Sequence, residues 1–328
     1  MPSLHRLFAA LLATAAIAAT TTFPVGAQSQ YPERPVRMIV TWPAGSPLDV
    51  GVRAVGQGIT EGLRQPVVVD NRPGANGIIG TEAGVRSAPD GYTVVSANVE
   101  TLAINPHVYP QLKYDPLKDL EPVAMLGKLP LVLMVRSGLG ANDGRALIQL
   151  ARSKPGALTY GSWGIGSVGH LGIAMMEEAA RIDMLHVPYQ GSALAFTALS
   201  AGQIDMMLFS VPVAMQQQQS GKLRMVGVTS AVRSQAYPAV PTLAEQGFQG
   251  VNAEQWIGFF VPRGTPPEAK ELLGREIARY VASPQGHKAL VDIGIDPVTA
   301  TPAEMVQLVR SDHARWGRLI KDKGVQVR

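Results

Sequence analysis

Gly164-Ile165-Gly166-Ser167-Val168-Gly169 is the segment whose spacing comes closest to a known chemistry. It satisfies G-x-G-x-x-G, follows an apolar run ending at Ser162 and opens a helical pattern from about His170 to Ala180. A dinucleotide site also needs an acid about twenty residues on, and Asp183 stands only fourteen residues after Gly169. The underlying physics survives without the cofactor, because glycines let backbone N–H groups converge and a helix N-terminus carries partial positive charge. Such an end can hold a carboxylate, or it can be a tight strand-to-helix connection with no ligand. A second loop of this type follows the first apolar run, at Trp42-Pro43-Ala44-Gly45-Ser46-Pro47-Leu48-Asp49. Here Gly45 permits close backbone approach, Ser46 offers a hydroxyl, and Asp49 either caps the helix that follows or meets a ligand. Two anion-compatible helix starts suggest a clamp that closes by a hinge motion.

Other chemistries lack their residues. There is no cysteine, which removes disulfides, thiolate metal sites, a Cys nucleophile and a lipid-attached N-terminal Cys. His107, His170, His186, His287 and His313 are each at least sixteen residues from the next, so no local metal-ligand spacing exists and no metal is expected. Neither a Walker loop nor a Gly-x-Ser-x-Gly elbow is present. An exported hydrolase or lyase using His170 with Ser167 or Ser162 therefore has no motif behind it, although it stands as an alternative.

The elements that must position these loops read as α/β. Short apolar, β-branched runs at 36–42, 66–70, 92–97, 131–135, 158–162, 184–188, 205–209, 225–229 and 257–261 have the look of buried parallel strands, with helical segments between them. Ligands of such folds gather where strand ends meet helix starts. Thr265-Pro266-Pro267-Glu268 and Thr301-Pro302-Ala303-Glu304 each predict a Thr N-cap, and Ser283-Pro284 opens a helix between them. The last helix places Met305, Leu308, Val309, Trp316, Leu319 and Ile320 on one packing face and ends before Gly324. Gln216 to Gln219 read as polar helix surface.

The chain has 328 residues, 46% of them hydrophobic and 16% charged, which excludes disorder and suits two lobes rather than one. His5 and Arg6 precede an apolar stretch, Leu7 to Ala19, too short to span a membrane; small residues at Val25 and Ala27 suit cleavage, so residues 1–27 are expected to be a secretory leader. The net charge of +4 falls to +3 without Arg6, and the scattered basic residues argue against a nucleic-acid partner.

From Tyr31 onward the sequence resembles the Bug family of periplasmic solute receptors of tripartite tricarboxylate transporters. The matching segments include Tyr31-Pro32, Pro35-Val36-Arg37, Gly45 to Asp49 with Arg53, Gln65 to Val69 and Asn71-Arg72-Pro73-Gly74-Ala75. Ala88-Pro89-Asp90-Gly91-Tyr92-Thr93, Ile104-Asn105-Pro106, Tyr114-Asp115-Pro116 and Lys154-Pro155-Gly156 follow in order. His186 to Tyr189, Gly191-Ser192-Ala193, Gly202 to Asp205 and Pro241 to Glu245 complete the set. The resemblance implies a two-lobed type II periplasmic binding protein, or Venus flytrap, with a ligand cleft between lobes. Residues 28–127 would form the first part of lobe 1, 128–250 lobe 2, and 251–328 a return to lobe 1 with the C-terminal helices. It also implies a monomer in the periplasm that needs no cofactor, binds a small-molecule carboxylate through backbone N–H groups and hydroxyls, and delivers it to a membrane permease. A ligand-presenting sensor component is an alternative role.

Carried over by position, the site comprises Trp42, Gly45, Ser46, Asp49 and Asn98 in lobe 1, with Ser162, Trp163, Gly166, Ser167, His170 and Asp205 in lobe 2. His170 either donates to a carboxylate or ties down its own loop. Asp205 lines the cleft by position, yet a buried acid facing an anion repels it, which favours a structural role. The departures are informative: Ala44-Gly45-Ser46 replaces Pro-Gly-Gly, Pro47-Leu48 a Ser-Thr pair, Trp163 and Ile165 small polar residues and Asn, and Gln190 a frequent Lys. The resulting cleft is more apolar, so the expected ligand is a carboxylate with an aromatic or larger apolar body stacked on Trp42 and Trp163, unless both indoles merely pack beneath their loops.

Overall fold

A computed structural model describes residues 31–327, and the expected leader lies outside the described residues. In chain order the strands are β1 (Val36–Val40), β2 (Val67–Asn71), β3 (Thr93–Asn98), β4 (Leu120–Leu129), β5 (Leu131–Arg136), β6 (Thr159–Ser162), β7 (Leu185–Pro188), β8 (Met206–Ser210), β9 (Leu223–Val228), β10 (Gln255–Pro262) and β11 (Asp296–Pro297). The helices are α1 (Pro47–Leu63), α2 (Ile78–Val85), α3 (Asn105–Val108), α4 (Gly144–Ser153), α5 (Val168–Ala180), α6 (Ser192–Ser200), α7 (Val211–Gln218), α8 (Pro267–Ala282), α9 (Pro284–Asp292) and α10 (Pro302–Lys323). A π-helical turn, Glu100–Ile104, follows β3.

The strands form two sheets, one per lobe: β11-β4-β10-β3-β1-β2 and β7-β6-β8-β5-β9. Helices cover both faces of the first sheet, which is why β1 and β3 are buried almost without a break rather than at alternate residues. One core cluster packs Val36, Met38 and Val40 against α1 and α8. Another runs unbroken from Val95 and Leu102 of the first lobe to Leu133 and Leu171 of the second, with Trp316 of α10 inside it. The lobes are thus fused along one side, and the cleft opens on the other.

The chain crosses between sheets at Pro130, where proline separates β4 from β5, and again between Val228 and Gln255. The two crossings are tied together: Leu131 N donates to Thr229 Oγ1 at 3.2 Å, and Thr229 N to the Leu131 carbonyl at 2.8 Å. Among the described residues, no helix is long and apolar enough to cross a membrane.

Three sequence expectations change. β5 runs antiparallel to β8 and β9, and β10 antiparallel to β3 and β4, because a strand covered on both faces has the same apolar pattern in either direction. β4 and β11 carry no strand signal of their own; β4 contains Pro122, Gly127 and Lys128 and pairs with β10 through two register shifts. Thr265 does not cap α8: Pro266 precedes Pro267, which holds it extended at ψ 138°, so the helix starts one residue later and Thr265 Oγ1 bonds the Pro262 carbonyl at 2.7 Å. By contrast Thr301 and Glu304 close a capping box on α10, and Ser283 caps α9.

Candidate functional site

The β1–α1 and β6–α5 loops have nearly the same backbone. Gly45 and Gly166 have φ of +80° and +76°, in the left-handed region that favours glycine. The next residues, Ser46 and Ser167, are N-caps at φ/ψ of −69°/157° and −68°/158°. In each loop the serine hydroxyl accepts from the N–H three residues on, and the glycine N–H donates to the side chain four residues on.

That fourth residue differs. In the first loop it is Asp49, whose carboxylate accepts from Gly45 N at 2.8 Å, Asn71 Nδ2 at 2.8 Å and Arg53 Nε at 3.0 Å. Burial opposes its charge, but these bonds outweigh burial and hold the carboxyl below its ordinary value. In the second loop it is His170, whose Nδ1 accepts from Gly166 N at 3.1 Å. An imidazole accepting at Nδ1 must be neutral, and burial with the neighbouring His186 pushes His170 down to about 3. The two imidazoles stack with centroids 3.8 Å apart, and His186 Nε2 meets Ser162 Oγ at 2.7 Å.

A cavity of about 460 Å³ lies between the lobes, within the usual range for small-molecule sites. Trp42, Gly45, Ser46 and Leu48 line it from the first loop, Trp163 from the second, and Leu129 and Leu131 from the crossing strands. Ser192, at the start of α6, and Ser210, the N-cap of α7, add hydroxyls; Ser210 makes no capping bond. Phe209, Val213, Gln255, Asp292 and Ile293 complete most of the wall, which holds neither lysine nor arginine. Hydroxyls and free helix-start N–H groups are therefore its means of holding an anion.

Of the residues singled out from sequence, Trp42, Gly45, Ser46 and Trp163 reach this cavity. Asp49, Ser162, Gly166, Ser167 and His170 are buried behind it and brace the loops, so Gly45 and Gly166 do not present their N–H groups to the cleft. Of the two readings of His170, the geometry is that of a loop tie. Asn98 holds the turn after β3 through its Oδ1 and Thr101 N at 3.1 Å. Trp42 Nε1, Ser96 Oγ and Asn98 Nδ2 are buried with no partner among the described residues.

Asp205 does not line the cleft. It precedes β8, whose far end carries Ser210, roughly 16 Å away at strand rise. Its carboxylate accepts from Arg136 Nε at 2.6 Å, Thr159 N at 2.8 Å and Thr159 Oγ1 at 3.1 Å, locking β5, β6 and β8 together. Each indole both lines the cleft and packs on a core cluster, so stacking surface and loop packing coexist. Sequence reasoning missed Leu129, Leu131, Phe209, Ser210 and Gln255. They flank crossings or strand ends, a position no local motif marks.

A larger recess of about 930 Å³ lies outside the cleft, between β4, α8 and the start of α10. Within its wall Lys270 is paired with Glu121 and Thr301 with Glu304.

The hydrolase alternative fails on geometry and on kinship. Ser162 faces His186 rather than His170 and is wholly buried, while His170 is engaged by Gly166. The model of the "Tripartite tricarboxylate transporter family receptor" matches residues 52–325. BugT of Bordetella pertussis is 35% identical over 100% of this chain and 99% of its own. A structure of R. palustris Rpa4515 with adipate is 30% identical at a TM-score of 0.82, covering 90% of this chain and 100% of that one. MatC from Rhodopseudomonas palustris with bound malate is 28% identical at a TM-score of 0.77, covering 88% and 100%. These are solute receptors rather than enzymes, and the chain belongs to the receptor family of the tripartite tricarboxylate transporters.

Proposed function

We propose that this protein captures a small organic carboxylate in the inter-lobe cleft, in the periplasm, and delivers it to the membrane permease of a tripartite transporter. Lobe 1, residues 28–127 with 251–328, and lobe 2, residues 128–250, close on the ligand as a monomer, with the hydroxyls of Ser46, Ser192 and Ser210 holding the carboxylate end and Trp42 and Trp163 the body. The observation that carries this reading is the cavity wall. It combines serine hydroxyls and helix starts with two indoles, Phe209 and several aliphatic side chains, and contains no lysine or arginine. Such a wall suits one carboxylate on an aromatic or larger apolar body, since a ring buries considerable area. The adipate- and malate-bound relatives support a carboxylate as the ligand class. No cofactor is needed, because capture requires only that the closed state bind better than the open one.

The test is thermal unfolding of residues 28–328 against aliphatic and aromatic acids. A ligand at 100 times its dissociation constant stabilises the native state by about 2.7 kcal/mol, a midpoint shift of several degrees. An apolar or aromatic monoacid giving the largest shift supports the reading; citrate or another compact polyacid giving it contradicts the apolar body, and no shift with any acid contradicts the carboxylate.

A further inference from the structure

Glu100 is wholly buried, and no arginine or lysine bridges it among the described residues. By contrast Asp49, Asp205, Glu276 and Asp312 are each paired with an arginine. It springs from the π-helical turn after β3, in the first lobe, yet both of its donors belong to the second. Val168 N donates to its Oε1 at 2.8 Å and Trp163 Nε1 at 3.0 Å. Val168 is the first residue of α5, so a carboxyl from one lobe occupies the positive end of the other lobe's helix. Its Oε2 has no partner among the described residues.

The rest of that helix start is also occupied. His170 N donates to Ser167 Oγ, Leu171 N to the Ser167 carbonyl, and Gly166 N to His170 Nδ1. Gly169 lies beneath the Trp163 ring, where a Cβ would come within 2.5 Å of it. At the start of α1 the matching donors are also taken internally, Asp49 N by Ser46 Oγ, Val50 N by the Ser46 carbonyl and Gly45 N by Asp49, and Pro47 has no N–H. The difference is that, among the described residues, no carboxyl from the other lobe caps it and that Gly45, Ser46 and Leu48 border the cavity.

We propose that Glu100 is a specificity-determining residue: it fills the anion-attracting start of α5 with the receptor's own carboxyl, so that a second ligand carboxylate is disfavoured at that end of the cleft. This rests on the carboxylate-receptor reading above. A second ligand carboxylate directed at the α5 end meets no cation, finds the donors there taken and faces a like-charged group, which leaves it only the uncapped starts of α6 and α7 among the second-lobe helix starts at the cavity. Trp163, anchored to Glu100 through its indole N–H, presents an apolar face there instead.

The experiment uses acid pairs of equal carbon skeleton, hexanoate with adipate and benzoate with terephthalate, titrated calorimetrically at pH 8 into the native protein, E100Q and E100A. The glutamine side chain of E100Q keeps an acceptor for Val168 and Trp163 without charge, and E100A vacates both donors; circular dichroism and the melting midpoint establish that each variant is folded. The native protein is expected to bind a monoacid at least tenfold more tightly than its diacid. That ratio should fall at least tenfold in E100A and partway in E100Q. A native protein that prefers the diacid overturns the proposal. So does an unchanged ratio in the folded variants, which leaves carboxylate binding standing and makes Glu100 a structural group. Binding of no acid by any of the three proteins overturns it together with the carboxylate reading.

Discussion

The two glycine loops share backbone angles, a serine cap and a glycine-to-side-chain tie, yet they face different surroundings. Gly45 is exposed, and nothing lies within 4 Å of where its Cβ would be. Gly166 is buried, and its Cβ would come within 2.7 Å of Val108. The first loop is tied by a carboxylate that Arg53 keeps charged, the second by an imidazole that must stay neutral. Above the second sits Glu100 from the other lobe. The same local conformation therefore serves one lobe as a helix start beside the cavity and the other as a joint sealed by a carboxyl from the opposite lobe. Loop geometry alone does not say which helix start borders the cavity; what packs against it from the other lobe does.

Gly166→Val should break this comparison most severely. The side chain combines a left-handed φ with a collision against Val108, which together cost about 2–4 kcal/mol. The sealed joint is expected to open, with ligand affinity falling by more than a hundredfold. Urea unfolding and calorimetry read the two effects, and near-native values of both would show that the joint is not part of the site.

Acid should separate the two ties next. His170 ionises at about 6.5 when unfolded and about 3 when folded, so between these values the unfolded chain binds more protons and stability falls as pH falls. The slope is about 1.4 kcal/mol per pH unit from this group alone. His186, held down to about 4 by burial, adds to it in the same direction. Glu100 acts in the opposite sense. Burial, only partly offset by hydrogen bonds from Val168 and Trp163, pushes it up to about 7, so its contribution is present below about 4.5 and is lost as pH rises through 7. The steepest acid loss is therefore expected below pH 4.5, where Glu100 no longer compensates. Melting midpoints of the native protein and His170→Gln between pH 7.5 and 3.5 check this; the variant should show a flatter acid limb, and superimposable profiles would contradict a neutral His170 tie.

Gly45→Ala sharpens the comparison at its mild end. Only the left-handed φ opposes it, at a cost of about 1 kcal/mol. It should lower stability by that amount in urea while leaving the second loop's acid profile unchanged. A loss as large as that of Gly166→Val would mean that the first loop is sealed too.

Much of the fold was legible in the sequence because its signals are local. All nine apolar runs became strands, Ser46 and Ser167 lie where their helices begin, and α10 shows the expected packing face. What escaped was set by partners distant in the chain. β4 is a strand because β10 pairs along its whole length, despite Pro122 and Gly127. Strand direction left no trace in residues covered on both faces. Of the cavity lining, Trp42, Ser46 and Trp163 were legible from loop position, whereas Asp205 lies away from it, because only the register of β8 reveals which strand end meets the cavity. Glu100 carries no motif at all; its meaning comes from a helix start sixty-eight residues away.

The most direct test of the cleft as the binding site uses its two indoles. Of the four tryptophans, Trp42 and Trp163 line the cavity, while Trp256 and Trp316 are buried elsewhere. Tryptophan emission should be recorded while the acid giving the largest thermal shift is titrated in, with calorimetry run in parallel on the native protein and the Trp42→Phe/Trp163→Phe double variant. A ligand held between the lobes should change native emission saturably with the calorimetric midpoint, and the double variant should lose that change while still releasing heat. Calorimetric binding to the native protein with unaltered emission would place the ligand outside the cleft and contradict the account.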